Sequence, residues 1–329
     1  MDCVETVDPS IYMDSTAQRR LVRRYIIKLG VLAGICLLAD HTLYRVFRSA
    51  LDHYRGFDVD ARVLLVGHSH TELGLDKCLL EQGLRIPVAK YALDGASTFD
   101  RYIMIRHYFS ETKNPPDFVI YDVDAHTFTS DGLSHNSYRL LFPYMDHPVV
   151  DEYVRRNAHS SSEYLSRKLL PLSRFDEAQI NAVLRGLTSD WSNRKIGTLD
   201  VEALNKKIAG GQIQPIRFDR RNVEIFEKTV AFVRSQGAVL VLLYIPTFSA
   251  YNDIEPQCYA QAIGMFEHYA EQDKGVVFLN YNPVYAEQAE LFYDPIHLNA
   301  KGREVVTQTL IRDLQRQVDG RYASIGMSP

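Results

Sequence analysis

From residue 61 onward, short apolar runs alternate with segments of helical spacing, and this alternation limits the folds open to the chain. Arg62–Gly67 reads as a first strand, Pro87–Leu93 as a second and Asp117–Val123 as a third. Ala238–Ile245 and Val276–Asn280 follow as the fourth and fifth. Between and after them lie predicted helices at Glu72–Gln82 with Gly83 as cap, Thr98–Phe109, Asp219–Gln236 with Gly237 as cap, Pro256–Gln272 and Asn299–Val318. Strands separated by helices of this length call for a parallel sheet covered on both faces. Together with the two motif blocks described below, this alternation predicts the strand order 2-1-3-4-5 in an α/β fold of three layers. A chain of 329 residues can bury a full core, either as one large domain with insertions or as two.

Two segments break the pattern. Residues 1–18 are polar and acidic; Arg19, Arg20, Arg23 and Arg24 follow, and then Tyr25–Ala39 is apolar except for Lys28. Continued through Phe47, this stretch predicts one helix able to cross a bilayer, with Lys28 reaching back to the interface. No cleavage site after it stands out. The reading is an uncleaved signal anchor within residues 1–55, its basic flank in the cytoplasm and the main domain outside. The alternative is an amphipathic helix buried against the domain. The second break, residues 129–216, predicts a mostly helical insertion with helical patterns at Val149–Asn157, Glu163–Leu170 and Phe175–Leu187. It would leave the sheet on the same edge as Ser69 and serve as a lid or substrate wall. The main domain is then residues 56–128 and 217–320.

Composition excludes some functions. The net charge of −4 gives no broad basic surface for nucleic acid. Cys3, Cys36, Cys78 and Cys258 have no CxxC spacing, which argues against a zinc knuckle or a disulfide framework. No cofactor is implied.

Chemistry concentrates in two places. The first strand ends at Gly67-His68-Ser69 and runs into a polar helical segment, so Ser69 stands at the carboxyl edge of the sheet, where open α/β folds place ligands. Gly67 suits a sharp turn there. Downstream, Asp294-Pro295-Ile296-His297 sets a carboxylate three residues before an imidazole. At that spacing Asp294 can accept from one ring nitrogen and leave the other facing outward as a base. A bare Asp-x-x-His is more often a capping loop; here it is joined to a Gly-x-Ser strand end in a suitable chain order.

Val63-Leu64-Leu65-Val66-Gly67-His68-Ser69-His70 resembles the first block of the SGNH/GDSL hydrolase superfamily, and Asp294–Gly302 resembles its last. The resemblance covers roughly residues 61–128 and 217–318. It implies a flavodoxin-like α/β/α fold with Ser69 as nucleophile, His297 as base and Asp294 as its orienter. It also implies an oxyanion hole built from the backbone N–H groups of Ser69 and Gly95. The chain departs from the family at His68, where a small acidic or polar residue is usual. It departs again at Asp122-Val123-Asp124-Ala125-His126, where the family brings an asparagine to the oxyanion hole; His126 is a candidate substitute. Such departures resemble membrane-anchored SGNH proteins that acylate or deacylate cell-surface polysaccharide, some beside a membrane-bound O-acyltransferase. The implied substrates are an acylated glycan or a small ester. Two alternatives stay open: a metal site using His68, His70, His126 and His297 with a carboxylate, and an inactive SGNH-like scaffold that binds glycan or a partner.

Overall fold

The structure, a computed structural model, describes residues 15–129, 136–212 and 214–324. It begins with helix α1, Ser15–Arg55. The expected polar tail at residues 1–14 lies outside the described residues, and Ser15–Gln18 are already helical. In chain order there follow β1 (Val63–Gly67), α2 (Ser69–Gly74), α3 (Lys77–Leu84), β2 (Val88–Ala92), α4 (Thr98–Glu111) and β3 (Phe118–Val123). The insertion carries α5 (Pro148–Asn157), α6 (Ser161–Leu169), α7 (Glu177–Thr188) and α8 (Val201–Ala209). The chain closes with α9 (Arg220–Ser235), β4 (Val239–Tyr244), α10 (Ser249–Asn252), α11 (Pro256–Gln272), β5 (Val276–Asn280), α12 (Asn282–Tyr285), β6 (Phe292–Asp294), β7 (His297–Leu298) and α13 (Ala300–Ser324).

The five main strands form one parallel sheet in the order β2-β1-β3-β4-β5. Every residue of β1, β2 and β3 is buried, which is why they read as continuous apolar runs and not as alternating ones. Alternate residues feed two cores. Leu64, Val66, Tyr91, Tyr121 and Leu242 pack on the side of α1, α4 and α9. Val63, Leu65, Val88, Ile120 and Val241 pack on the other side, with side chains of α3 and α13. The result is the expected three-layer α/β/α arrangement.

The helix expected at Glu72–Gln82 is two helices. Lys90, buried on β2, donates through Nζ to the carbonyls of Glu72 and Leu75 at 2.6 and 2.9 Å. Those carbonyls are thereby satisfied outside a helical ladder, so α2 ends at Gly74 and Leu75 is extended. Burial pulls the Lys90 ammonium down to about 8. Asp76 then caps α3 by accepting from Leu79 N–H at 3.0 Å. Gly83 is not the cap: it lies inside α3, where an added β-carbon would meet Ile311 at 2.7 Å, and Arg85 takes the left-handed position at φ 57°.

Helix α1 has two unlike halves. From Leu21 to Leu43 its large apolar side chains are exposed, whereas Tyr44, Ala50, Leu51 and Tyr54 are buried in the core. The inner half lies along α7 so closely that a β-carbon on Gly186 would fall on the Ala50 carbonyl. Beyond α7, Trp191 donates from its indole to Tyr54 O at 2.8 Å and stacks on the Tyr54 ring. The extended stretch that follows runs from the end of α2 to β6: Asn193 Nδ2 donates to Leu73 O at 2.9 Å, and Leu199 N–H to Phe292 O at 2.9 Å. Helix α8 has no counterpart among the expected elements, although Val201, Leu204 and Ile208 stand at helical spacing and pack on the second core.

His107 of α4 is fully buried, with Nδ1 3.2 Å from the Tyr91 hydroxyl. Burial, then the positive charge of Arg48, holds its pKa well below the ordinary value, although Glu111 stands 4.0 Å from Nε2. The folded protein therefore binds fewer protons than the unfolded chain below about pH 6.5, and stability falls as pH falls through that range. Chemical denaturation of wild type should show this loss, up to about 1.4 kcal/mol per pH unit from this group. In His107→Leu the pH slope should be shallower, whatever its absolute stability; an unchanged slope would show that His107 titrates alike in both states.

Candidate active site

The site is assembled at the carboxyl ends of the parallel strands. Gly67 closes β1, His68 caps α2 and Ser69 opens it. The reason for glycine at 67 is space rather than a left-handed turn: its φ is not positive, and a β-carbon there would collide with Thr71 and with Asp122 Cβ. As the first residue of α2, Ser69 also leaves its own N–H outside the helical ladder.

The expected Asp-x-x-His loop is a tight antiparallel hairpin, β6 turning into β7 through Pro295-Ile296. Asp294 organises it. One carboxylate oxygen accepts from the N–H groups of Ile296 and His297 at 3.0 and 2.9 Å, and the other pairs with His297 Nδ1 at 2.8 Å. His297 Nε2 is 2.8 Å from Ser69 Oγ. With the Nδ1 proton on the Asp294 side, Nε2 offers its lone pair to the serine hydroxyl. Partial burial raises the Asp294 pKa, but the His297 bond and charge and the two backbone donors outweigh it, and the carboxyl sits below its usual range. Ser69, Asp294 and His297 thus come together across 228 residues of sequence.

Two cavities meet at Ser69. One, of about 220 Å³, is lined by His68, Ser69, His70, Gly95, Asp124 and His126, with Arg101, Tyr251 and Gln214 among its further walls. The other, of about 160 Å³, lies on the Asp294–His297 side and is closed by Glu72, Leu73 and Lys195. Gly95 has a φ of 77°, a left-handed conformation suited to glycine, and open space where a side chain would stand. The helices α5 and α7 of the insertion pack against α4 and α1; it is Thr129, Lys195 and Gln214 that reach the cavities. Lys195, Gln214, Tyr251 and Arg101 were not singled out from sequence, because they come from four distant segments and carry no motif.

Asp124 faces the histidines that follow β1. Its Oδ2 lies 3.4 Å from His68 Nε2 and 3.5 Å from His70 Nδ1, and its Oδ1 accepts from His126 N–H at 2.9 Å. Burial opposes its charge, but the His68 bond and the neighbouring histidines hold its carboxyl far below the usual range. Burial, and then His68, pushes His70 well below the ordinary histidine value. For His68 burial is outweighed by Asp122 and Asp124, and its pKa rises. Of the histidines considered as metal ligands, only His68 and His70 cluster with a carboxylate; His297 is engaged with Ser69 and Asp294. The two stand at the cap and second residue of α2, with ring centroids 4.4 Å apart.

No family model matches the chain, and no curated protein matches it. Among solved structures it is similar to a lipase/acylhydrolase from Enterococcus faecalis, at 12% identity and a TM-score of 0.41, over 78% of this chain and 96% of that one. A GDSL-like lipase from Bacteroides thetaiotaomicron matches at 10% identity and a TM-score of 0.38, over 78% and 89%. A catalytic mutant of an acetylxylan esterase from Geobacillus stearothermophilus matches at 11% and 0.35, over 77% and 93%. The likeness is one of chain path, and the site stands on its own distances.

If Asp294 orients and charges His297, Asp294→Asn should fold normally yet lose hydrolysis of a small acyl ester by on the order of 10²-fold or more. His297→Ala with Asp294→Asn should be little worse than His297→Ala alone, since the two act as a unit. Steady-state rates on the three variants check this; additive losses would separate Asp294 from the base.

Proposed function

We propose that the protein is an SGNH-type serine esterase or O-acyltransferase acting on ester-linked acyl groups of a cell-surface polysaccharide. The observation that carries this reading is the unbroken contact chain Ser69–His297–Asp294 at the meeting point of two cavities. Ser69 Oγ attacks the acyl carbonyl while its proton passes to His297 Nε2, and Asp294 stabilises the imidazolium. The carbonyl oxygen becomes an oxyanion held by the Ser69 and Gly95 N–H groups. Collapse breaks the ester C–O bond, and His297 returns the proton to the departing alcohol. Water or a sugar hydroxyl then gives its proton to His297, attacks the acyl-serine and releases Ser69. The larger cavity, at about 220 Å³, is below the roughly 300–1,000 Å³ of drug-sized pockets and suits a small acyl group. A fluorophosphonate probe should label wild type and not Ser69→Ala. Absence of labelling in folded wild type would favour an inactive scaffold that binds glycan or a partner.

Helix α1 is long and apolar enough to cross a membrane. Residues 25–43 span about 28 Å at 1.5 Å per residue, against a hydrocarbon core of about 30 Å. We read it as an anchor, with Arg19, Arg20, Arg23 and Arg24 on the cytoplasmic side and the domain outside, placed to work beside a membrane-bound O-acyltransferase. Because Tyr44, Leu51 and Tyr54 belong to the core, the separable part ends before them. Full-length protein should resist carbonate extraction from membranes, and a chain lacking residues 1–40 should stay folded and move to the soluble fraction. A full-length chain that is soluble and monomeric without detergent would overturn the anchor.

A further inference from the structure

We propose that His68, His70 and Asp124 hold one divalent transition-metal ion, with zinc as the probe, in the wall of the cavity beside Ser69. Three donors from two elements converge there: the β1–α2 turn supplies both imidazoles, and the chain just after β3, the strand paired with β1, supplies the carboxylate. His68 Nε2 and His70 Nδ1 lie 3.4 and 3.5 Å from Asp124 Oδ2, and all three atoms fall within 4.8 Å of one another. Those separations are long for N–H···O hydrogen bonds. They are close to the edge of a tetrahedron with metal bonds of about 2.0–2.1 Å, which is about 3.4 Å.

A second, independent observation points to a ligand. His70 is 4% exposed, and its Nδ1, aimed at Asp124, has no hydrogen-bond partner. Behind it Asp122 is 1% exposed, with both carboxylate oxygens likewise without a partner and one of them 3.7 Å from His68 Nε2. Buried polar atoms in folded proteins are nearly always satisfied, by protein, water or an ion. Two buried carboxylates and two imidazoles in contact form a donor set that a cation completes, and imidazole with carboxylate suits zinc and its neighbours. The cavity side supplies the open fourth position, and Asp122, 3.7 Å from the same His68 nitrogen, adds a further negative charge beside the ion.

Binding has one local consequence. At present His68 Nδ1 accepts from His70 N–H at 3.3 Å, which puts the His68 proton on Nε2. A metal at Nε2 takes that position, the proton moves to Nδ1, and the cap bond is given up. Nδ1–H then faces Ser69 Oγ, 3.5 Å away, so that the ion and the serine share one imidazole.

The test uses full-length protein in detergent, stripped with a chelator, desalted and titrated with zinc. We expect one zinc per chain by elemental analysis after gel filtration, and the tetrahedral visible spectrum of cobalt(II) when cobalt replaces it. Ser69→Ala should still bind one zinc per chain, which separates this result from the fate of the hydrolase reading. The isosteric Asp124→Asn, and His70→Ala where it folds, should lose affinity by on the order of 100-fold or more, above the loss usual for an outer-shell change. His268→Ala, on the exposed face of α11, should change nothing. Wild type that retains no zinc would overturn the proposal. So would zinc bound equally by folded Asp124→Asn, because the ion would then sit elsewhere.

Discussion

Everything at the site follows from the fact that the five strands run parallel. A parallel sheet sends every strand's carboxyl end to one edge, so the polar residues that follow each strand must share that edge. Ser69 after β1, Gly95 after β2, Asp124 after β3 and Tyr251 after β4 all line one cavity for this reason. The β6–β7 hairpin belongs to no strand of the main sheet. Asn193 lashes it to the end of α2, donating to Leu73 O and, at 3.2 Å, to Leu298 O. That strap lets the hairpin deliver His297 to a serine that follows β1.

Two carboxylates a short way from Ser69 have been given different work by their surroundings. Asp294, only partly buried, spends one oxygen on backbone donors and the other on His297. Asp124 is buried and faces two histidines at distances too long for strong hydrogen bonds. Both carboxyls are held below their usual range, Asp294 by His297 and two backbone donors, and Asp124 by the histidines beside it. The unpartnered oxygens of buried Asp122, beside His68, set this edge apart from a bare serine-histidine-aspartate arrangement.

The first helix joins two environments. Its inner half is a structural member of the domain, held by α7, Trp191 and the core. Its outer half has apolar side chains with nothing among the described residues to cover them. A rigid helix of 41 residues without a break fixes the orientation of the domain to whatever its outer half enters.

The sequence by itself determined the strands, their order and the three residues of the contact chain. Buried parallel strands need continuous apolar runs, and a hairpin that binds its own histidine needs its carboxylate a few residues away; both requirements are local and therefore written locally. Only the tertiary structure decided the rest. The break between α2 and α3 depends on Lys90 arriving from β2 to take two helix carbonyls. The identity of Gly83 depends on Ile311 from the last helix, and that of Gly67 on Asp122 from a neighbouring strand. The division of α1 depends on where α7 packs, and the pairing of His70 with Asp124 on the register of β1 with β3. Each is a contact between segments far apart in the chain, so no local pattern records it.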